Sequence, residues 1–167
     1  MDDIWNKIVR AKDLLRRRLL FIGWLTHLLE KHNIKPILVG GNALEFYTLG
    51  RYSTYDIDLV SSGRNIIDKE LRKKGFKKTG RHWYNENIDI SVEIPDTILA
   101  GSLDKVETIE IDGLKVYVIS KEDLIIDRLN AYVYWKSIED GRWAKTIMIL
   151  YYDELDWNYL NTRATEE

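Results

Sequence analysis

Cysteine is absent from the 167 residues, which excludes disulfides and thiolate metal sites outright. Glutamine is missing as well and only 2 methionines occur, whereas Ile, Lys, Glu and Tyr are plentiful, a usage compatible with a hot-living source. No apolar run reaches the roughly 18 residues that a membrane-spanning helix needs. The longest candidate, Leu19 to Leu29, follows Arg16, Arg17 and Arg18 and lies too far behind a charged lead to read as a signal peptide. No membrane contact is expected, and a cytoplasmic location is the default. An excess of one charge is also lacking. The net charge of -2 announces no nucleic-acid binder, although a balanced total can conceal a local basic face.

What is present suffices for one globular domain over 1–167. At 45% hydrophobic and 31% charged the chain buries a sizeable core without staples. The pattern divides it into an N-terminal helix (1–32), a mixed core (35–119) and a helical C-terminal region (120–167). Ile4, Ile8, Ala11, Leu15, Leu19, Ile22, Leu25 and Leu29 recur at spacings of three and four, which predicts one long helix from about Asp3 to Lys31, capped by Asp2 or Asp3. Pro36 breaks it. Ile37-Leu38-Val39 reads as a buried strand ending in Gly40-Gly41, followed by a short helix from Asn42 to Thr48. Tyr55 to Val60 and Ile88 to Ile94 alternate as strands do. A helix from about Asn65 to Lys74 ends at Gly75, and Phe76 to Tyr84 is strand material with a turn near Gly80. Asp112-Gly113 marks a hairpin between Glu107–Ile111 and Leu114–Ile119. Ser120 with Asp123 opens a helix running to about Lys136. Further helices are expected over Asp140–Tyr152 and Trp157–Leu160, with 162–167 frayed. The predicted class is α+β: a small mixed sheet with helices on one side and a helical C-terminal region.

The chemistry concentrates in Gly40-Gly41-Asn42 and in Arg51-Tyr52-Ser53-Thr54-Tyr55-Asp56-Ile57-Asp58. On a strand, residues two apart share a face, so Asp56 and Asp58 project side by side while Tyr55, Ile57 and Leu59 face the other way. Two carboxylates so close repel each other, predict a raised pKa, and are neutralised by divalent cations. Two Mg²⁺ ions ~3.5–4 Å apart clamp the attacking and leaving oxygens of a phosphoryl displacement. The neighbouring alternating strand offers a third carboxylate on one face: Asp89 is the first choice and Glu93 the alternative. Glycines let backbone approach phosphate oxygens, and the N-terminus of the following helix presents free N–H groups to them. Gly40, Gly41, Asn42, Arg51, Ser53 and Thr54 are therefore the candidate nucleotide-binding residues. Each fragment alone also has a plain structural interpretation, an acidic solvated strand face or a simple turn; the combination is what carries the chemistry.

Gly40, Gly41, Thr54, Asp56, Asp58 and the Ile88-Asp89-Ile90 strand resemble the nucleotidyltransferase superfamily of DNA polymerase β. The resemblance is to its minimal members and to the toxin-type relatives of abortive-infection systems, and it extends over about Lys35 to Ala144. The helix containing Asp127 and Arg128 is similar to the helical region of that toxin-like branch. The family often carries Ser at the place of Gly41, and Arg where Tyr52 stands; its helical Lys appears as Arg128. The resemblance implies transfer of an NMP from an NTP to an acceptor hydroxyl on RNA (tRNA included), DNA, a protein or a small molecule. It implies Mg²⁺ held by Asp56, Asp58 and Asp89, two ions when substrate is bound. Possible partners are an antitoxin-like protein or further copies of the chain. The competing reading is a non-catalytic nucleic-acid- or partner-binding module that keeps the fold.

Between Arg64 and Arg81 stand eight Lys or Arg against two acids, Asp68 and Glu70. Arg72, Lys73, Lys74, Lys77 and Lys78, with aromatic neighbours His82, Trp83 and Tyr84, are candidates to hold an oligonucleotide acceptor. A solvated helix face is the equal alternative. Asp127-Arg128 is expected to be an ion pair, and Trp135, Trp143 and Trp157 to be core or oligomer contacts.

Overall fold

A computed structural model describes residues 2–167, with the backbone alone for residue 2. The expected first helix is two: α1 (Asp2–Arg10) and α2 (Leu14–Glu30). The break has a local cause. Asp13 is extended, and its carboxylate accepts from the Arg16 N–H at 2.7 Å, so it caps a new helix. The Arg17 guanidinium donates to Ala11 O from Nε at 2.9 Å and Nη2 at 2.6 Å, supplying partners to a carbonyl the ended helix leaves free. The apolar period persists across the break because α1 folds back on α2, with Trp5 edge-on to Trp24 at 5.0 Å. Asp3 lies inside the first turn of α1, and an Asp2 side-chain cap falls outside the described residues.

Among the described residues, seven strands form one mixed sheet: β1 (Ile37–Val39), β2 (Asp56–Val60), β3 (Lys77–Thr79), β4 (His82–Asn85), β5 (Ile90–Glu93), β6 (Glu107–Ile111) and β7 (Leu114–Val118), in the order β3-β4-β5-β2-β1-β7-β6. β1 runs antiparallel to β2 and parallel to β7, and β2 runs parallel to β5. The β6–β7 hairpin turns at Asp112 and Gly113, both at positive φ, as expected for a two-residue primed turn. Register sorts the side chains onto two faces. Ile57, Val92, Trp83 and Lys78 line up on one, and Val39, Asp58, Glu93 and His82 on the other.

The first face is the core. Ile57, Val92 and Trp83 are fully buried there. α2 and α4 (Arg64–Lys73) cover it, with Phe21 of α2 stacked on Phe76 at 5.5 Å and Trp83 Nε1 donating to Asp68 of α4 at 2.8 Å. Gly23 lets α2 approach β7, since a Cβ there would lie 2.8 Å from Leu114 Cβ. The short helix α3 (Gly40–Tyr47) follows β1 directly.

The C-terminal region holds α5 (Lys121–Trp135), α6 (Ile138–Leu150) and α7 (Trp157–Glu166). Ser120 caps α5 as expected, accepting from Asp123 N–H at 3.1 Å. The expected fraying at 162–167 is not observed. α7 continues to Glu166, tied down by Tyr134 Oη donating to Glu167 O at 2.7 Å and by Arg163 paired with Glu167 at 2.8 Å. Tyr159 Oη also donates to the buried Asp123 carboxylate at 2.8 Å. Trp135 is no core residue, being 83% exposed, whereas Trp143 packs edge-on to Tyr52 at 5.3 Å. Among the described residues, no helix is long and apolar enough to cross a membrane.

Candidate active site

The second face of the sheet opens into a cleft of about 360 Å³ lined by Gly40, Asp58, Arg81, Glu93, Asp127 and Arg128, with Pro95 to Ala100 along one wall. Asp56 and Asp58 stand on β2 and face the same way, as their spacing requires. On β5, Asp56 is in register with Ser91 and Asp58 with Glu93. Val39 lies on the other side of Asp58, so the end of β1, the β2 acid and Glu93 form one row across three strands.

The Gly40-Gly41 turn meets this row directly. Gly40 has a φ of +60, and a Cβ on it would lie 2.5 Å from Asp58 Oδ2. Backbone conformation and space both demand glycine. The Gly41 N–H acts on the Asp58 carboxylate, favouring its charged form. A Cβ on Gly41 would lie 3.1 Å from Thr54 Oγ1 and 3.3 Å from the Tyr52 ring, so Thr54 and Tyr52 press on the first turn of α3. No side chain caps that turn.

Electrostatics single out Asp58. Burial, then the Glu93 and Asp56 carboxylates, push its pKa up to about 6, against opposition from the Gly41 N–H and the Arg128 guanidinium. This is the raised carboxyl that paired acids predict. Glu93, 14% exposed at its side chain, forms an ion pair with Arg81, and its Oε2 lies 3.8 Å from His82 Nδ1. The expected convergence of three carboxyl groups is not reached: among the described residues, no three His, Asp or Glu groups stand close enough to hold one metal ion. Mutual repulsion and the pull of Arg81 on Glu93 both act against convergence.

Residues 18–167 match the family described as "Nucleotidyltransferase of unknown function (DUF6036)". The chain belongs to this family. Among solved structures, it is similar to an antigenic nucleotidyltransferase-like protein from Paracoccidioides brasiliensis, at 18% identity and a TM-score of 0.64, covering 93% of this chain and 88% of that one. It is also similar to the antibiotic-resistance factor ANT(2'')-Ia. One solution structure of that protein matches at 15% identity and a TM-score of 0.57, covering 89% of each chain. A crystal structure of it with adenylyl-2''-tobramycin matches at 18% identity and a TM-score of 0.52, covering 87% of this chain and 98% of that one. These likenesses establish a shared nucleotidyltransferase-like fold. The comparison with curated proteins gives no match.

Within this nucleotidyltransferase fold several expected residues fall elsewhere. Asp89 lies outside β5, in an exposed turn at a φ of +48, where its carboxylate accepts a 3.4 Å hydrogen bond from Tyr84 Oη. Register therefore puts Glu93, and not Asp89, beside Asp58. Asn42 is fully buried and donates to Glu45 Oε2 at 3.0 Å, so its side chain serves the interior. Arg51 and Ser53 are exposed in the loop before β2. The basic segment is split by the sheet. Arg72 and Lys73 pair with Asp68 and Glu70 on α4, Lys74 lies over the Trp5 ring, and Lys78 lies over Trp83 on the core side. Lys77 shares the open face with Tyr84, Ser91 and Asp56.

Other residues of the site have little sequence signal. Arg18 of α2 forms a buried ion pair with Glu45 at 2.6 Å. Burial raises the Glu45 pKa despite the opposing Arg18 guanidinium and Thr54 N–H. This pair, with Asn42 on Glu45, ties α2 to α3. Arg128 bridges Asp127 at 3.0 Å and Asp140 at 2.8 Å while lining the cleft. The expected pair is present, and it extends to α6.

Proposed function

We propose that this chain is a divalent-cation-dependent nucleotidyltransferase that moves an NMP from an NTP to an acceptor hydroxyl. The observation that carries the reading is the row Asp58–Glu93 set against Gly40-Gly41, with Asp58 Oδ2 filling the space a Gly40 side chain would need.

The residues present fit a hard divalent cation. Asp58 is a half-shielded carboxyl whose pKa is lifted by burial and then by Glu93 and Asp56, and Glu93 Oε1 is a buried oxygen whose contact is the Arg81 guanidinium. Carboxylate oxygens of this kind suit Mg²⁺, which keeps waters for substrate phosphates. Asp58 and Glu93, in register across β2 and β5, would hold it, with Asp56 adding negative charge nearby and Glu93 taking the role first given to Asp89. When bound, such a cation neutralises charge on the phosphoryl oxygens.

The chain's own groups do the rest. The N–H groups at the start of α3 and the flat Gly40-Gly41 backbone receive phosphate oxygens, with Thr54 Oγ1 alongside. Glu93 accepts the proton of the acceptor hydroxyl. The acceptor oxygen bonds to the α-phosphorus, the α–β anhydride breaks, and pyrophosphate leaves. Catalysis is mainly positioning and charge compensation. The finer assignments belong to the same reading: Mg²⁺ as the cation, ATP among the donors, kinship with abortive-infection toxins and an antitoxin-like partner, and a cytoplasmic location. Of the acceptor classes, a small hydroxylated molecule is favoured over an oligonucleotide. The cleft is small, most of the basic segment lies behind the sheet, and the ANT(2'')-Ia complex contains an adenylylated small molecule.

Equilibrium titration with each NTP, with and without Mg²⁺, tests the reading. Binding is expected to require the cation and to be lost in Asp58→Asn. NTP binding that ignores both the cation and Asp58 refutes it.

A further inference from the structure

Two guanidinium groups line the cleft, and they are held differently. Arg128 is clamped between Asp127 and Asp140 with its side chain 18% exposed. Arg81 has a side chain 61% exposed and pairs with Glu93. Arg81 belongs to the two-residue link Gly80-Arg81 between β3 and β4, where Thr79 and His82 are paired. β3 is an edge strand, exposed along its whole length, and among the described residues nothing lies within 4 Å of a Cβ built on Gly80. The guanidinium thus hangs from an open hairpin tip over the carboxylate row. Its Nε contacts Glu93 Oε1, a buried oxygen with no other partner among the described residues. A shielded carboxylate held by one exposed side chain needs a positive partner throughout, so a divalent cation takes that place as the guanidinium leaves.

We infer that Arg81 exchanges Glu93 for the nucleotide: the guanidinium holds Glu93 until a divalent cation takes that carboxylate, and then binds the triphosphate lying on Gly40 and Gly41. The inference rests on the nucleotidyltransferase reading and assigns Arg81 as a substrate-binding residue within it. Gly40, Asp58, Glu93 and Arg81 border one cavity, so the move stays within it. A planar guanidinium suits both partners, carboxylate and phosphate, through paired N–H donors. His82 Nδ1, 3.8 Å from Glu93 Oε2, also faces the carboxylate, so the test is run at one fixed pH.

The test compares the wild type, Arg81→Ala and Arg81→Lys in two binding experiments. In the first, Mn²⁺ is titrated calorimetrically into nucleotide-free protein. Arg81→Ala is expected to bind Mn²⁺ about 3- to 10-fold tighter, because the competing charge is gone, a change of up to about 1.4 kcal/mol. Arg81→Lys should stay near wild type. In the second, a non-hydrolysable NTP analogue is titrated at saturating Mn²⁺. Arg81→Ala is expected to bind it about 10-fold more weakly, with Arg81→Lys in between. Opposite signs in the two experiments are something a merely structural role would not produce. Unchanged Mn²⁺ affinity in Arg81→Ala, or unchanged analogue affinity, overturns this inference alone. Absence of Mn²⁺ binding in all three proteins overturns it together with the reading beneath it.

Discussion

Gly40 and Asp58 occupy each other's space: Asp58 Oδ2 sits 2.5 Å from where a Gly40 Cβ would be, and Gly40 itself is at a φ of +60. The acid and the turn are therefore one device. Gly40→Ala must strain the backbone and displace the carboxylate. It is expected to destabilise the fold by about 1–2 kcal/mol or more and to weaken NTP binding beyond what that loss explains. Denaturant unfolding and calorimetric titration of the same variant separate the two effects.

Asp58 carries a stability cost with a defined pH window. Its folded pKa of about 6 lies above the ordinary value of 3.8. Below the lower value both folded and unfolded states are protonated and nothing is lost. Between the two values the folded state holds the extra proton, so stability falls as pH rises. Above about 6 the cost is complete, on the order of 1–3 kcal/mol. Asp58→Asn is expected to raise stability by that amount at pH 7.5 and by little at pH 4. Unfolding curves of both proteins at the two pH values check the difference.

Divalent cations should reverse that cost. Mg²⁺ or Mn²⁺ is expected to raise the wild-type melting temperature, by binding the native state alone, and more at pH 7.5 than at pH 5, where Asp58 protonates and competes. The double variant Asp56→Asn/Asp58→Asn should melt no lower than wild type and lose the response. A response unchanged in the double variant would place the cation elsewhere.

Glu93 and Asp89 make opposite predictions. Glu93→Gln removes the carboxylate in register with Asp58 and is expected to reduce transfer by more than about 100-fold, the upper range for groups that merely support ligands. Asp89→Asn changes an exposed turn residue and should leave transfer within about twofold, close to the neutral range of surface substitutions. Steady-state rates of the two variants decide between the acids.

Behind the phosphate-facing turn, Arg18 and Glu45 form a buried pair at 2.6 Å. Arg18→Met strands a buried carboxylate and is expected to cost about 3–5 kcal/mol. Adding Glu45→Gln removes the stranded charge while keeping an acceptor for Asn42, so most of the loss should be recovered. A double-mutant cycle in urea measures the coupling.

The parts of the site legible in the sequence are those set by local chemistry. Gly40-Gly41 after an apolar run, the two-residue spacing of Asp56 and Asp58, and the Asp112-Gly113 hairpin each follow from neighbours along the chain. Choices that depend on distant partners were not legible. The alternation from Ile88 to Ile94 puts Asp89 and Glu93 on the same face. Which of them meets Asp58 depends on the register of β5 against β2 and on where β5 begins, and neither is written in parity. The helical period across Ala11-Lys12-Asp13 hid a break because α1 returns onto α2 and reuses the same stripe. The basic run looked continuous, yet alternation on β3 sends Lys77 and Lys78 to opposite faces while α4 covers the core side. Arg81 enters the site only because a hairpin brings it back over Glu93. Asn42 is drawn inward by Glu45, three residues along on the same helix, whose own partner Arg18 lies on α2.

The central claim is transfer of the α-phosphoryl group at the Asp58–Glu93 row. Its most direct measurement follows the fate of label from α-³²P and γ-³²P NTPs incubated with Mg²⁺, the protein and a cell extract supplying acceptors. The account predicts that α-label passes to an acceptor, γ-label leaves as pyrophosphate, and both events stop in Asp58→Asn. Transfer of γ-label, or α-transfer undiminished in Asp58→Asn, would contradict it.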